Sequence, residues 1–229
     1  MLKTVALSIL FSLATTTVVA ASAKEVKDVA AIARDEGVVR ISIRSQLQYA
    51  APLYVWFAKV ADGKSDTDHA ISFSRTQGMP LAGTNMTDSM PRYHSLPVGH
   101  YRLTAHTMMC KQLPPPDAVC FAYGNAVPTG RYDDRSVEFD VLPGQLTDAG
   151  EFILELPPEI DLGGAVSYKE AYKQMSSASI RWRKIAAPLD QKFAGIPSGP
   201  APTVPESLRS NVTCEIKPKG TGMFYPFKC

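Results

Sequence analysis

Charge of one sign is nowhere concentrated in this chain. Its 24 basic and 22 acidic residues are dispersed, with no run of five or more of either sign. Duplex nucleic acid requires a concentrated basic stripe, so no nucleic-acid partner is expected. Long apolar runs are also scarce. A membrane span needs about 20 apolar residues, and no stretch after residue 23 comes close. No transmembrane segment is therefore expected in the mature chain. Cysteine is limited to four residues, none in C-x-x-C spacing and none with a histidine at zinc-ligand spacing, which leaves no zinc signature. The G-x-S-x-G elbow, the H-E-x-x-H helix and a glycine-rich phosphate loop after a strand are all missing. Each absence removes a reaction class: elbow hydrolases, zinc peptidases and nucleotide enzymes.

What is present first is an address. Lys3 gives a short positive start, and Thr4 to Ala20 run without a charge. Ala21-Ser22-Ala23 follows as a small-residue cleavage site, with Lys24-Glu25 just beyond. That is the layout of a secretory leader. Ser8, Ser12 and Thr15-Thr16-Thr17 interrupt the apolar run, so cleavage after Ala23 is expected rather than anchoring. The expected destination is the periplasm or the exterior. Removing Lys3 takes the basic count from 24 to 23 against 22 acids, a mature net charge of +1.

Four cysteines in an exported chain read as disulfides, because that compartment is oxidising. Three pairings are open. Proximity favours Cys110 with Cys120 and Cys214 with Cys229, since each closes a short loop. A loop of about 15 residues stabilises by roughly 3 kcal/mol in the chain-entropy account.

From Val38 to Leu156 the chain reads as short strands. Val39, Ile41 and Ile43 alternate with Arg40, Ser42 and Arg44; Val137, Phe139 and Val141 alternate with Ser136, Glu138 and Asp140. Phe152, Leu154 and Leu156 alternate with Glu151 and Glu155. Period-two alternation marks a strand with one wet face. Leu53 to Val60 is apolar on both faces, as in a central strand. Turn signals stand between these runs: Asp62-Gly63, Pro97-Val98-Gly99, Pro114 to Asp117 and Pro143-Gly144. The pattern predicts a mainly β fold, an antiparallel immunoglobulin-like sandwich of about seven strands.

After Leu156 the character changes. Ser167 and Glu170 form a capping box, and Tyr168, Tyr172 and Met175 follow at helical spacing, predicting one C-terminal helix over 167–176. Residues 178–186 are left open. The expected organisation is a leader (1–23), a lead-in (24–37), the β-sandwich (38–156) and a helical extension (157–194). A Pro/Gly-rich connector of polyproline type (195–205) and a disulfide-closed tail (206–229) complete it.

Two segments resemble small exported prealbumin-like β-sandwich domains, the carboxypeptidase-regulatory type among them. Leu96 to Leu103 is similar to their "LPxGxYxL" turn into a core strand, and Val137 to Gly144 with Gly150 to Leu154 to their "FxVxPG…GxxxL" hairpin. The resemblance covers residues 38–156. It implies a fold and a binding or structural habit, with no functional residue attached.

Candidate site residues are few. Tyr54 and Trp56 are placed on the outer face of a sheet, where aromatics can stack a sugar or peptide, unless the Tyr168–Met175 helix covers them. His100 and His106 are placed on one strand, both opposite the Tyr101-Leu103-Ala105 face, and Met108 shares the face of His106. Imidazole with thioether is copper chemistry, and Met79, Met86 and Met90 lie in the loop before. Residues six apart on a strand are about 20 Å apart, so His100 and His106 cannot share one ion. The leading expectation is an exported, non-catalytic cell-envelope binding or structural module, its partner an envelope protein or glycan, with no cofactor. The alternatives are a periplasmic copper-handling protein and a hydrolase whose site only the fold assembles.

Overall fold

The computed structural model describes residues 22–45, 53–76, 90–108, 110–115, 120–122, 125–127, 129–155, 178–208 and 211–212. The chain is mainly β, in two principal sheets. In order the strands are β1 (Lys24–Glu25), β2 (Glu36–Ser45), β3 (Leu53–Ala61), β4 (Lys64–Ser65), β5 (Ile71–Ser74) and β6 (Arg92–Pro97). Next come β7 (Gly99–Met108), β8 (Cys120–Ala122), β9 (Asn125–Val127), β10 (Gly130–Arg131) and β11 (Glu138–Val141). The last three are β12 (Leu146–Glu155), β13 (Ser179–Arg183) and β14 (Asn211–Val212).

The first sheet runs β1-β6-β2-β12-β13 and the second β14-β10-β7-β3-β4, with β11 also on β7 and β5 also on β3. A separate hairpin joins β8 and β9. The antiparallel expectation fails at one place. β12 lies parallel to β2, with Leu146 opposite Val38 and Leu154 opposite Ser45. A parallel neighbour needs a long crossover, and everything from β3 to β11 supplies it.

The alternating residues bury themselves as period two requires. Val39, Ile41, Ile43, Phe152 and Leu154 of the first sheet meet Val55, Phe57, Phe73, Leu103 and Phe139 of the second. Phe57 is the hub, its ring centroid 5.0 Å from Phe139, 5.4 Å from Phe152 and 5.7 Å from Phe73. Tyr101, immediately inside the Pro97-Val98-Gly99 bend, is buried and donates its hydroxyl to the Pro97 carbonyl at 2.8 Å. Asp62 and Gly63 take φ of 52° and 76°, the left-handed pair that a two-residue hairpin turn requires.

A bulge upsets the parity of β7. Trp56 is opposite Ala105 and Phe57 opposite Leu103, so Thr104 is an extra residue. Such an insertion exchanges the two faces of everything beyond it. Tyr101 and Leu103 point into the inter-sheet core, whereas Ala105 joins Trp56, Ala58 and Ala70 on the outside of the second sheet. His106 and His100 therefore do not share a face, and His106 turns inward.

The stretch left open in the sequence, 178–186, contains a strand. Residues 179–183, inside the expected helical extension, form strand β13 against β12. The helix placed at 167–176 lies outside the described residues. The Pro/Gly-rich run is a strap across the domain. The Leu146 N–H donates to the Pro197 carbonyl at 2.9 Å and the Gly199 N–H to the Leu146 carbonyl at 2.8 Å. Glu138 and Thr203 exchange both backbone bonds. Prolines cannot donate, and the donors here are the residues between them. Nearby, Phe193 stacks on Tyr93 with centroids 4.0 Å apart, beside Val26, Val38 and Leu146.

One hydroxyl joins the two sheets. Tyr132 accepts the Ile180 N–H at 3.1 Å and lies 2.8 Å from His106 Nδ1. The hydroxyl thus links the backbone of β13 to the His106 ring. A Cβ on Gly130 would overlap the His106 ring. Tyr132→Phe leaves a buried donor and acceptor unmet, so urea unfolding should show a loss of about 2–3 kcal/mol. Gly130→Ala should lose about 1–3 kcal/mol by overpacking.

Candidate ligand-binding cleft

A second bulge builds a cleft. On β12, Asp148 is opposite Arg40 and Gly150 opposite Ile41, leaving Ala149 extra and fully buried. Gly150 adopts φ of 97°, a conformation that L side chains rarely take. It also lacks the Cβ that would strike the Trp182 indole. Trp182 of β13 leans over it and donates its indole N–H to the Ala149 carbonyl at 2.8 Å.

The other walls are chain segments tied to this floor. Arg40, only 5% exposed, reaches Asp148 at 2.9 Å and donates to the carbonyls of Ala187 and Pro188 at 2.5 and 2.9 Å. It thereby fixes residues 184–189 as one wall. The strap over 198–202 is the other. The space between is about 460 Å³, within the range of small-molecule sites. Its surface combines the Trp182 indole, Ile185, Leu189, Pro200 and Pro202 with the Arg40–Asp148 pair and the exposed Lys184. Among the described residues no histidine or cysteine lines it, and Ser198 is the one hydroxyl side chain. The arrangement can stack a flat or apolar group on indole and pyrrolidine rings and hold an anion at Lys184. It contains no nucleophile with a base beside it.

The residues singled out in the sequence fall elsewhere. Trp56 is fully buried, its indole N–H bonded to Thr107 Oγ1 at 2.9 Å, with Tyr54 and Leu113 packed around it. Leu113, in the stretch after β7, supplies part of that cover; the Tyr168–Met175 stretch lies outside the described residues. His106 is 3% exposed and Met108 packs in the inter-sheet core. Met79 and Met86 lie outside the described residues, and Met90 is exposed. Among the described residues no cluster of three metal-ligating groups forms. Cys110 is engaged in a disulfide. The side chain of Cys120, and Cys214 and Cys229 altogether, lie outside the described residues. Trp182 and Gly150 were missed in the sequence. Ala178, Ile180 and Trp182, alternating with Ser179, Arg181 and Arg183, were the available signal.

Three histidines differ sharply in electrostatics. Burial lowers His94 and His106 to about 4. For His94 the Ala23 carbonyl offsets this only in part. His100 sits on the outer face of the second sheet between two carboxylates, Nδ1 2.8 Å from Asp140 and Nε2 3.0 Å from Glu138. Its partial burial would lower it, but the two carboxylates outweigh this and raise it. Arg102 continues the network, reaching Glu138 at 2.5 Å and Asp134 at 2.7 Å.

No family model matches the chain, and no curated protein does. Among solved structures, a leucine-rich repeat protein from Bacteroides thetaiotaomicron is similar over 52% of this chain and 14% of that one. The identity is 14% and the TM-score 0.25; the likeness carries no functional argument.

The histidines set opposite pH dependences. A neutral, buried His94 or His106 takes up its proton only on unfolding between the ordinary value near 6.5 and about 4. Stability should therefore fall as pH drops through that window, by about 3 kcal/mol for each histidine. His100 acts the other way. Its contribution is complete below 6.5 and is lost as pH rises through its raised value. Urea unfolding from pH 4 to 9 checks both: His106→Gln should flatten the acid limb and His100→Gln the alkaline one.

Proposed function

We propose that this chain is an exported, non-catalytic binding or structural module of the cell envelope, and that the Trp182 cleft is where it holds its partner. The observation that carries the reading is how the cleft is built. A bulge, a glycine at positive φ and a buried arginine hold open a concave, mostly apolar space that serves no packing purpose. Indole and proline walls with one cation beside them suit the planar or apolar part of an envelope glycan or peptide that bears an anionic group. The absence of a reactive pair among its lining residues favours binding over turnover.

The same reading places the protein in the periplasm or outside the cell, after removal of the leader. Its two sheets would be a prealbumin-like sandwich, followed by a helix over 167–176. Bridges would join Cys110 to Cys120 and Cys214 to Cys229. His106 and Met108, the pair behind the copper alternative, are both 3% exposed and lie away from this cleft.

The test is retention of envelope components on immobilised mature protein. Lys184→Glu should reduce retention at least tenfold while leaving the far-UV spectrum and the urea midpoint within error of the parent; Trp182→Ala should reduce it as much but with a lower urea midpoint, because the Ala149 carbonyl loses its donor. Unchanged retention in both variants moves the site elsewhere. Turnover of an envelope glycan or peptide by the parent overturns the non-catalytic reading.

A further inference from the structure

The outer edge of β12 is an unfinished ladder inside the cleft. In its parallel pairing with β2, the Val38 N–H donates to the Gln145 carbonyl at 2.8 Å, and Leu146 lies opposite Val38. That register turns the N–H and C=O of Leu146 away from β2, and those of Asp148, two residues on, with them. At Leu146 the strap meets both groups, through the Pro197 carbonyl and the Gly199 N–H. At the other end β13 takes over from Glu151, which lies opposite Arg183. Between them the Trp182 indole occupies the Ala149 carbonyl. Asp148 is left. With Ser198 beside Leu146, a strap in register would bring Pro200 beside Asp148. Instead it crosses to the second sheet, where Thr203 pairs with Glu138. Among the described residues no strand or strap reaches the Asp148 N–H or C=O.

The shape of this gap selects what completes it. A donor and an acceptor side by side on a strand edge need an acceptor and a donor side by side on the ligand. A planar trans amide points its N–H and C=O in opposite directions. The lone acetamido group of an amino sugar therefore meets one of the Asp148 groups and misses the other. Two successive peptide units meet both, as Pro197 to Gly199 already do at Leu146. The side chains around the gap add a sign of charge. Of the three charged residues lining the cleft, Arg40 and Asp148 pair with each other at 2.9 Å, which leaves the exposed Lys184 to attract an anion.

We propose that the cleft receives an extended peptide bearing an acidic side chain. Two of its successive peptide units bond the N–H and C=O of Asp148, a flanking side chain lies on the Trp182 indole, and its carboxylate pairs with Lys184. The inference rests on the cleft reading above and narrows the partner to a peptide.

The experiment titrates isotope-labelled mature protein with blocked glutamate-containing tripeptides and, separately, with an N-acetylglucosamine tetramer, following the amide and indole N–H resonances. The peptides should move the signals of Asp148, Gly150 and the Trp182 indole. The tightest peptide is then remade with an ester in place of each amide in turn. One ester position should weaken binding about three- to tenfold, since one backbone hydrogen bond is lost, and Lys184→Glu should weaken the parent peptide at least as much. Equal binding by every ester analogue overturns the backbone pairing. Movement of the same signals by the amino-sugar tetramer alone overturns the peptide and leaves the cleft standing. Silence with every peptide also overturns the inference, and the retention of envelope components by Lys184→Glu then judges the cleft independently.

Discussion

A strand has two faces, and one inserted residue exchanges them. Two insertions, Thr104 in β7 and Ala149 in β12, decide what this protein shows to solvent. The first sends His106 into the core, where burial disfavours its protonation and Tyr132 hydrogen-bonds its Nδ1. The second sends Ala149 inward and leaves Gly150 in a conformation over which an indole can lie. One bulge therefore removes a candidate ligand from the surface, and the other creates a cleft.

Much of the architecture could be read directly from the residues. The alternating stretches at 38–45, 137–141 and 152–154 are strands, and the Asp62-Gly63 and Pro97-Val98-Gly99 signals bend the chain where expected. The reason is local: period two and left-handed turn residues act over a handful of positions. What could not be read is non-local. Nothing in residues 36–45 announces that β12 will arrive in parallel, because that pairing is set by the whole intervening chain. Thr104 carries no mark of a bulge, so the parity of His106 was assigned one step out of phase. Prolines at 197, 200 and 202 suggest a free connector, although the donors beside them, Gly199 and Thr203, complete edges of both sheets. The cleft depends on all these non-local choices at once, which is why Trp182 stood out less in the sequence than Trp56.

Stacked sheets leave open flanks, and unpaired edges invite other chains. Here short, irregular pieces tie one sheet to the other. Residues 22–26 bridge β5 and β6, residues 198–203 bridge Leu146 and Glu138, and the Tyr132 hydroxyl spans from the second sheet to the backbone of β13. None is a long strand. Each ties a few polar backbone groups that would otherwise face outward from an apolar interior, and the strap over 198–202 also walls the cleft.

Two glycines are paired with two rings. Gly130 yields its space to the His106 imidazole and Gly150 to the Trp182 indole. Neither glycine can acquire a side chain while its ring keeps its place. Among descendants of this chain, each glycine and its ring should be inherited or lost together. At 150 the substitution would also erase the cleft, so a lineage that keeps both members of that couple reveals that the cleft is still in use.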